Sequence, residues 1–390
     1  MSAYSESGEE ALHARNLLKD WASEWLLTET QYQHMQQETV CEFRRTNIFL
    51  RLALFFFTLI IVAAAAGLVF MAFLSHAKAP TIGVFLLFIA GISYAAAEFA
   101  VSRFRLYRYG IEEALVACAV GSLCMGIEAT LFTDRLFSAQ ANFVVPAAGA
   151  IASLWIWRRF GLPYAFPAAL IFVFWVPGLW TSSPSVRHLI VAAIYVAGLV
   201  TVAAVRPHHL LTYLNSRYSA AEAALWGGIY VSINIQLSSL EQTTAGFSRT
   251  FYWASWVLTW CLPPAILARG VRQKDRFVIA VGAIAAVLTL ATNKSYLGWP
   301  RHTWDPMLLG ALLIGVALLL RRWLARGAGG IRQGFTAQRL SGKDKQWMNA
   351  ASAAIGLVTP QSITLGPQAT NPDVRFGGGE SGGGGASSDF

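Results

Sequence analysis

The run "TNKSYLGWPRHTWDP" at residues 292–306 crowds Lys294, Arg301, His302 and Asp305 among Tyr296, Trp299 and Trp304. Two cations, an imidazole and a carboxylate so close in sequence, with Asn293 beside them, are the donors that hold an anionic headgroup or a sugar phosphate. The same residues have a second reading as an interfacial turn. The three aromatics suit the belt at a membrane surface, and Lys294 and Arg301 can snorkel to phosphates. Asp305 followed by Pro306 reads as the cap and first residue of a helix. The flanking apolar stretches, 277–292 and 305–321, would each rise only ~25 Å against a hydrocarbon layer of ~30 Å, placing the run at the surface. Anchoring accounts for the aromatics and the Asp-Pro start; it leaves Asn293, Lys294, Arg301 and His302 unexplained.

Ionisable and amide groups inside apolar segments are costly to keep there, so they form a second set of candidates. Glu128, Asn234 and Gln236 are the members of an intramembrane polar path. Glu112 and Glu113, ~22 Å along a helix from Glu128, would extend it toward a proton relay. Alternatively they pair at the interface with Arg103, Arg105 or Arg108, as Glu98 does with Arg103 or Arg105. His208 and His209 are adjacent and so point to different faces, poor geometry for one metal ion. Cys41, Cys118, Cys124 and Cys261 show no CxxC spacing and read as small buried hydrophobes. No GxSxG, Walker loop, GxGxxG or HExxH is present, so no metal or cofactor is expected.

These groups are carried by a mostly apolar chain. Hydrophobic residues make up 55% and charged residues 13%, with mean hydropathy +0.47, 14 Trp and 24 Phe. Soluble domains carry about 25% charged residues. The fold class expected is an all-α polytopic transmembrane helix bundle. Ten spans are placed at 48–74, 81–101, 111–132, 142–157, 163–180, 187–205, 221–238, 250–268, 277–292 and 305–321. The seventh is the most polar and reads also as a buried or re-entrant helix. Counting Arg51, Arg187 and Arg321 with the segments they border, 24 of the 30 Lys and Arg fall in alternate segments beginning with the first. The positive-inside rule then puts both termini in the cytoplasm. The net charge of +9 sits beside span ends, where lipid headgroups and not nucleic acid are the natural partner. With no conventional signal peptide, the first span must act as the insertion signal.

Residues 1–47 read as a cytoplasmic amphipathic hairpin. Leu12, Leu17, Leu18, Trp21, Trp25 and Leu26 fall near one helical face, and Thr28 with Gln31 has capping-box spacing before a helix through Gln36. The bundle occupies 48–323. A basic juxtamembrane segment with a short helix, 324–358, follows, suited to anionic inner-leaflet lipids. The Gly-rich tail 359–390 cannot bury enough apolar surface to order. The hairpin and the tail are the places for a protein partner. "WCLPPAIL" is the candidate broken helix, its prolines freeing carbonyls that need neighbours. Ala63/Gly67 and Gly282/Ala286 suit close helix packing.

"FYWASWVLTWCLPP", "ATNKSYLGWPRHTWDPMLLG" and "FGGGESGGGGASSDF" resemble an uncharacterised family of bacterial polytopic inner-membrane proteins with Gly-rich tails. The start, "LLKDWASEWLLTETQ", is similar to that of other bacterial membrane proteins of unknown function. The tail resembles those of membrane-anchored proteins carrying the TPM domain, which this chain lacks. The resemblance implies a bacterial inner-membrane, multi-pass location and brings no activity or catalytic residues. Two classes stay open: a non-catalytic transporter or membrane scaffold, and an enzyme acting on a lipid-linked or anionic substrate at the extracytoplasmic face. The enzyme would need the 293–305 run to converge with Glu128 or Glu241.

Overall fold

The computed structural model describes residues 3–23, 26–39, 43–44, 46–131, 143–179, 181, 183–209, 212–238, 247–299, 302–327, 331–332 and 335–336. Trp25, Cys41, Glu241, Arg301 and nearly all of the segments 324–358 and 359–390 lie outside these residues.

Helices dominate: α1 (Glu6–Ser23), α2 (Glu29–Glu38), α3 (Ile48–Val69), α4 (Ala79–Phe104), α5 (Ile111–Leu131), α6 (Val144–Phe160) and α7 (Ala165–Trp175). They continue with α8 (Pro184–Val205), α9 (Asn215–Ile233), the single turn α10 (Ile235–Ser238), α11 (Arg249–Gln273), α12 (Arg276–Tyr296) and α13 (Asp305–Ala325). A two-residue antiparallel ladder, β1 (Ile331–Arg332) with β2 (Phe335–Thr336), follows. A helix stands at each of the ten expected span positions. Among the described residues, seven are long and apolar enough to cross a membrane: α3, α4, α5, α8, α11, α12 and α13. Of the other three, α6 has 17 residues and α7 has 11, while α9 has 19 but is too polar.

Local chemistry sets the boundaries. Asn47, Ser248 and Asp275 accept backbone N–H groups at the starts of α3, α11 and α12, satisfying donors that have no partner within the helix. Proline enters the first turn of α4, α8 and α13, where its missing N–H costs nothing. The Thr28–Gln31 capping box forms as the spacing predicts, starting α2. "WCLPPAIL" does not break: α11 runs unbroken through Pro263 and Pro264. The discontinuity lies at Asn234, between α9 and α10, where the backbone takes φ −77°, ψ 93°.

Two packed groups emerge. In one, α4 lies along α5, which also meets α3 and α6. In the other, α9 is surrounded by α7, α8, α11 and α12. A Cβ on Gly282 would meet Leu267 at 2.9 Å, so α11 and α12 approach closely there; Gly67 has nothing within 4 Å, so the expected packing role at Ala63/Gly67 is not used. No residue of α3 or α13 is buried, so each presents apolar side chains all round.

The amino-terminal hairpin folds back on the bundle, on a face that shares only Leu12 and Leu18 with the predicted one. Tyr4, Glu9, Leu12 and Leu18 are buried, whereas Leu17, Trp21 and Leu26 are exposed. Tyr4 packs against Phe43 and Tyr107, and the Ala3 N–H donates to the Arg159 carbonyl at the end of α6. Leu12 joins the core cluster of Val101, Val116 and Ile156. A polar Glu9 in the docking face is what periodicity of apolar residues alone could not anticipate.

Candidate functional site: a polar column through the second helix group

Four residues on α9 and at its end recur every fourth position, Glu222, Trp226, Tyr230 and Asn234, and so share one face. Glu222, Tyr230 and Asn234 are each no more than 1% exposed. They look onto the buried stripe of α12, which runs from Val278 through Ala285, Thr289 and Thr292 to Tyr296, and onto Ser255 and Thr259 of α11.

At the Tyr296 end the hydrogen bonds form a directed chain. Pro263 has no N–H, so it leaves the Thr259 carbonyl without its helical donor. The Thr289 hydroxyl donates to that carbonyl at 2.9 Å. With its proton committed, Thr289 accepts from the Tyr230 hydroxyl (2.9 Å), which in turn accepts from Asn234 Nδ2 (3.0 Å). The second Nδ2 hydrogen goes to Thr292 at 3.1 Å. The break at Asn234 frees two further backbone groups, and both find side chains. The Ile235 N–H donates to the Tyr296 hydroxyl (2.8 Å), and His188 Nδ1–H donates to the Ser232 carbonyl (2.6 Å). Because a carbonyl can only accept, this bond fixes the proton of His188 on Nδ1. Elements α8 and α12 thus hold an interrupted helix whose opened backbone would otherwise lose several kcal/mol per group.

The opposite end of the column is ionic. Arg206, just past α8, donates to Glu222 (2.6 Å) and Gln273 (3.3 Å) and pairs with Asp275 (2.5 Å). Arg269 donates to the second Glu222 oxygen at 3.0 Å, and Ser219 to Asp275 at 2.6 Å. Two guanidinium groups thus face two carboxylates, which is how charges persist in a low-dielectric interior. A cavity of about 270 Å³ opens beside them, lined by Arg206, Glu222, Arg269 and Gln273. Trp226 lies between the two ends, packed with Leu262 against Ala223, Ile266 and Val278. Its indole nitrogen is buried with no hydrogen-bond partner among the described residues.

Of the residues expected to form a polar path, Asn234 and Gln236 belong to this column or its broken helix. Glu128 is not brought to them: it sits half-buried on α5, in the other helix group. The loop candidates are largely committed to one another. Asn293 Oδ1 accepts from the Trp256 and Trp260 indoles at 3.0 and 3.3 Å. Lys294 donates to Asp305 at 2.5 Å and lies 5.5 Å from the Trp304 ring centroid. His302 rests against Trp304 and gives its backbone N–H to Asp305 at 3.0 Å. Asp305 is therefore inside the first turn of α13 and not its cap; Trp304 holds the cap position with no side-chain bond. The helices also run further than predicted. At 21 residues each, α12 and α13 rise about 31 Å, so Asn293 to Tyr296 are the last turn of α12.

The remaining acids take partners other than those expected. Glu113 pairs with Arg51 of α3, Glu98 with Arg159 of α6 at 2.6 Å, and Glu112 accepts the Tyr109 N–H at 2.7 Å. His209 stacks on Tyr218 with ring centroids 5.2 Å apart. Below the column, Glu9 of α1 pairs with Arg217 at the start of α9. Burial holds the Glu9 carboxyl above its usual range, with Arg217 and Tyr213 only partly offsetting it. Tyr213 itself is pushed up to about 12, chiefly by burial and then by the Glu9 charge.

Sequence reading missed Arg206, Arg269 and Asp275, which flank spans and look like ordinary interfacial charges. It also missed His188, Tyr230, Thr289 and Thr292, since single hydroxyls and rings in an apolar helix carry no pattern. The four-residue recurrence in the least apolar span was the available signal. No protein-family model, curated protein or solved structure matches the chain.

Proposed function

We propose that this chain is a ten-crossing protein of a bacterial inner membrane, with both termini cytoplasmic, and that it works as a non-catalytic transporter. The orientation rests on the basic residues clustered at alternate span ends, and the compartment on the sequence resemblance. The observation that carries transport is the interrupted α9–α10 helix, whose opened backbone and buried Asn234 face α12 within the polar column. Broken helices line substrate sites in transporters because they open backbone groups toward a polar path, and here the break lies toward the Tyr296 end of the bundle. The ionic cluster at the far end, with its cavity, and the Trp226 packing between give the column two polar ends separated by an apolar stretch. The enzyme reading has less support, because Lys294 is paired with Asp305 and Asn293 is spent on two indoles.

The test uses the single substitutions Ser219→Cys and Thr292→Cys in a background with the four native cysteines changed to serine. Both positions are about 6% exposed here. In a transporter that opens to each side in turn, a membrane-impermeant thiol reagent reaches the thiol of Ser219→Cys from the cytoplasmic side alone. It reaches that of Thr292→Cys from the other side alone. A chain in which both stay unreactive from both sides is not a transporter of this kind. Reagent reaching His302→Cys from the cytoplasm would reverse the orientation.

A further inference from the structure

On the membrane-facing side of α9, opposite the polar column, a groove of about 490 Å³ runs between α7, α8 and α9. Pro167, Leu170 and Phe174 form one wall, and Ala224, Val231 and Leu237 the other. Seven residues along either helix give a length of about 10 Å. The groove exists because α7 is short and because Gly228, whose Cβ would meet the Tyr195 ring at 3.0 Å, puts no side chain into it. Its one hydroxyl, on Tyr195, is spent on the Leu170 carbonyl at 2.5 Å. Ile171 and Val231 are exposed beside it, so it opens toward lipid.

One end of this apolar slot carries a cation. Arg187 lies in the first turns of α8, its guanidinium carbon 5.7 Å from the ring centroid of Phe174, which lines the groove. That position is unfavourable for a positive charge on two counts. The amino-terminal end of a helix is itself partially positive. In addition, Arg187 Nε is buried with no hydrogen-bond partner among the described residues. An anion at this point relieves both.

We propose that the groove is a binding site for a membrane phospholipid with a net negative headgroup, its acyl chain along Leu170, Phe174 and Val231 and its phosphate on Arg187. An apolar slot ending at a cation matches an anionic amphiphile, and it lies at the bundle end that carries Asn234 and Tyr296. His188 reaches Ser232 from the next residue, so an occupied site would press on the break in α9. The site does not depend on the transport reading.

The full chain is placed in phosphatidylcholine vesicles containing trace phospholipid with a photoactivatable acyl chain, as either the phosphatidylglycerol or the phosphatidylcholine form. After irradiation, adducts are mapped by mass spectrometry. The expected result is labelling of peptides carrying 170–174 and 224–231, about tenfold stronger for phosphatidylglycerol, because the trimethylammonium of phosphatidylcholine brings a second positive charge to Arg187 and the positive end of α8. Arg187→Gln brings the two forms level, Arg187→Lys keeps a preference, and Val231→Trp fills the slot and removes both adducts. Arg272→Gln, exposed in the last turn of α11 at the other end of the bundle, leaves the preference unchanged. Equal labelling by the two lipids in the native chain, a preference that survives Arg187→Gln, or adducts unaffected by Val231→Trp each overturns the site.

Discussion

The link between Pro263 and Thr289 can be measured by itself. Thr289→Val keeps the shape of the side chain and removes its hydroxyl. Two buried groups then lose a partner: the Thr259 carbonyl, which Pro263 already deprives of a helical donor, and the Tyr230 hydroxyl proton. The Ala285 carbonyl, which Thr289 also touches, keeps its helical bond and is not stranded. An unsatisfied buried group costs about 1–3 kcal/mol, and side-chain hydrogen bonds between membrane helices average about 0.6 kcal/mol. The substitution should therefore destabilise by about 2 kcal/mol. In a Pro263→Ala background the helix supplies its own N–H to Thr259, so only the Tyr230 contribution remains, about 1 kcal/mol. The coupling between the two positions is then about 1 kcal/mol. Reversible unfolding of the four proteins in a mild detergent, followed by Trp fluorescence, reads it directly. Additivity within about 0.3 kcal/mol would mean that Thr289 does not serve the carbonyl freed by the proline.

Three further outcomes are expected. Glu222→Ala removes one of the two carboxylates, leaving Arg206 to Asp275 and Gln273 and the half-exposed Arg269 to its surroundings, and should cost about 1–3 kcal/mol, seen as a lower unfolding midpoint in the same detergent; an unchanged midpoint removes the ionic cluster from the folding argument. Because burial raises the folded pKa of Glu9, the docked state binds its proton more tightly, so docking of α1 weakens as pH rises from the usual glutamate range through the raised value. Hydrogen-exchange protection of residues 6–23 should fall over that window, and Glu9→Gln should flatten the profile; protection that rises with pH contradicts the assignment. Asn293→Leu leaves two indole N–H groups without an acceptor and should shift Trp emission and cost about 1–2 kcal/mol, whereas emission and stability both unchanged would show that the indoles find other partners.

Much of the architecture was legible in the residues. Long apolar runs can satisfy their backbone in lipid only as helices, so each run announces one, and Asn47, Pro80 and Pro306 mark starts by local chemistry. The capping box at Thr28 is likewise decided within four residues. The candidate site was legible only in fragments. Asn234 stood out because an amide in an apolar run is costly. Its partners Thr292 and Tyr230 did not, since a hydroxyl or a ring sits in a lone helix at little cost. Pro263 and Pro264 pointed to a kink, with a break as the sharper alternative; α11 runs through both, and Thr289 on the neighbouring helix supplies a donor to the carbonyl that Pro263 frees.

The sequence by itself determined where helices form, because that depends on apolarity and on bonds between residues three or four apart. Only the tertiary structure decided which polar groups meet. Arg206 and Glu222 are sixteen residues apart, Asn234 and Thr292 fifty-eight, and Glu9 and Arg217 two hundred and eight. Such pairs are chosen by the packing of whole helices, which buries apolar contact and brings most buried polar groups to a partner. Local pattern carries no record of that choice.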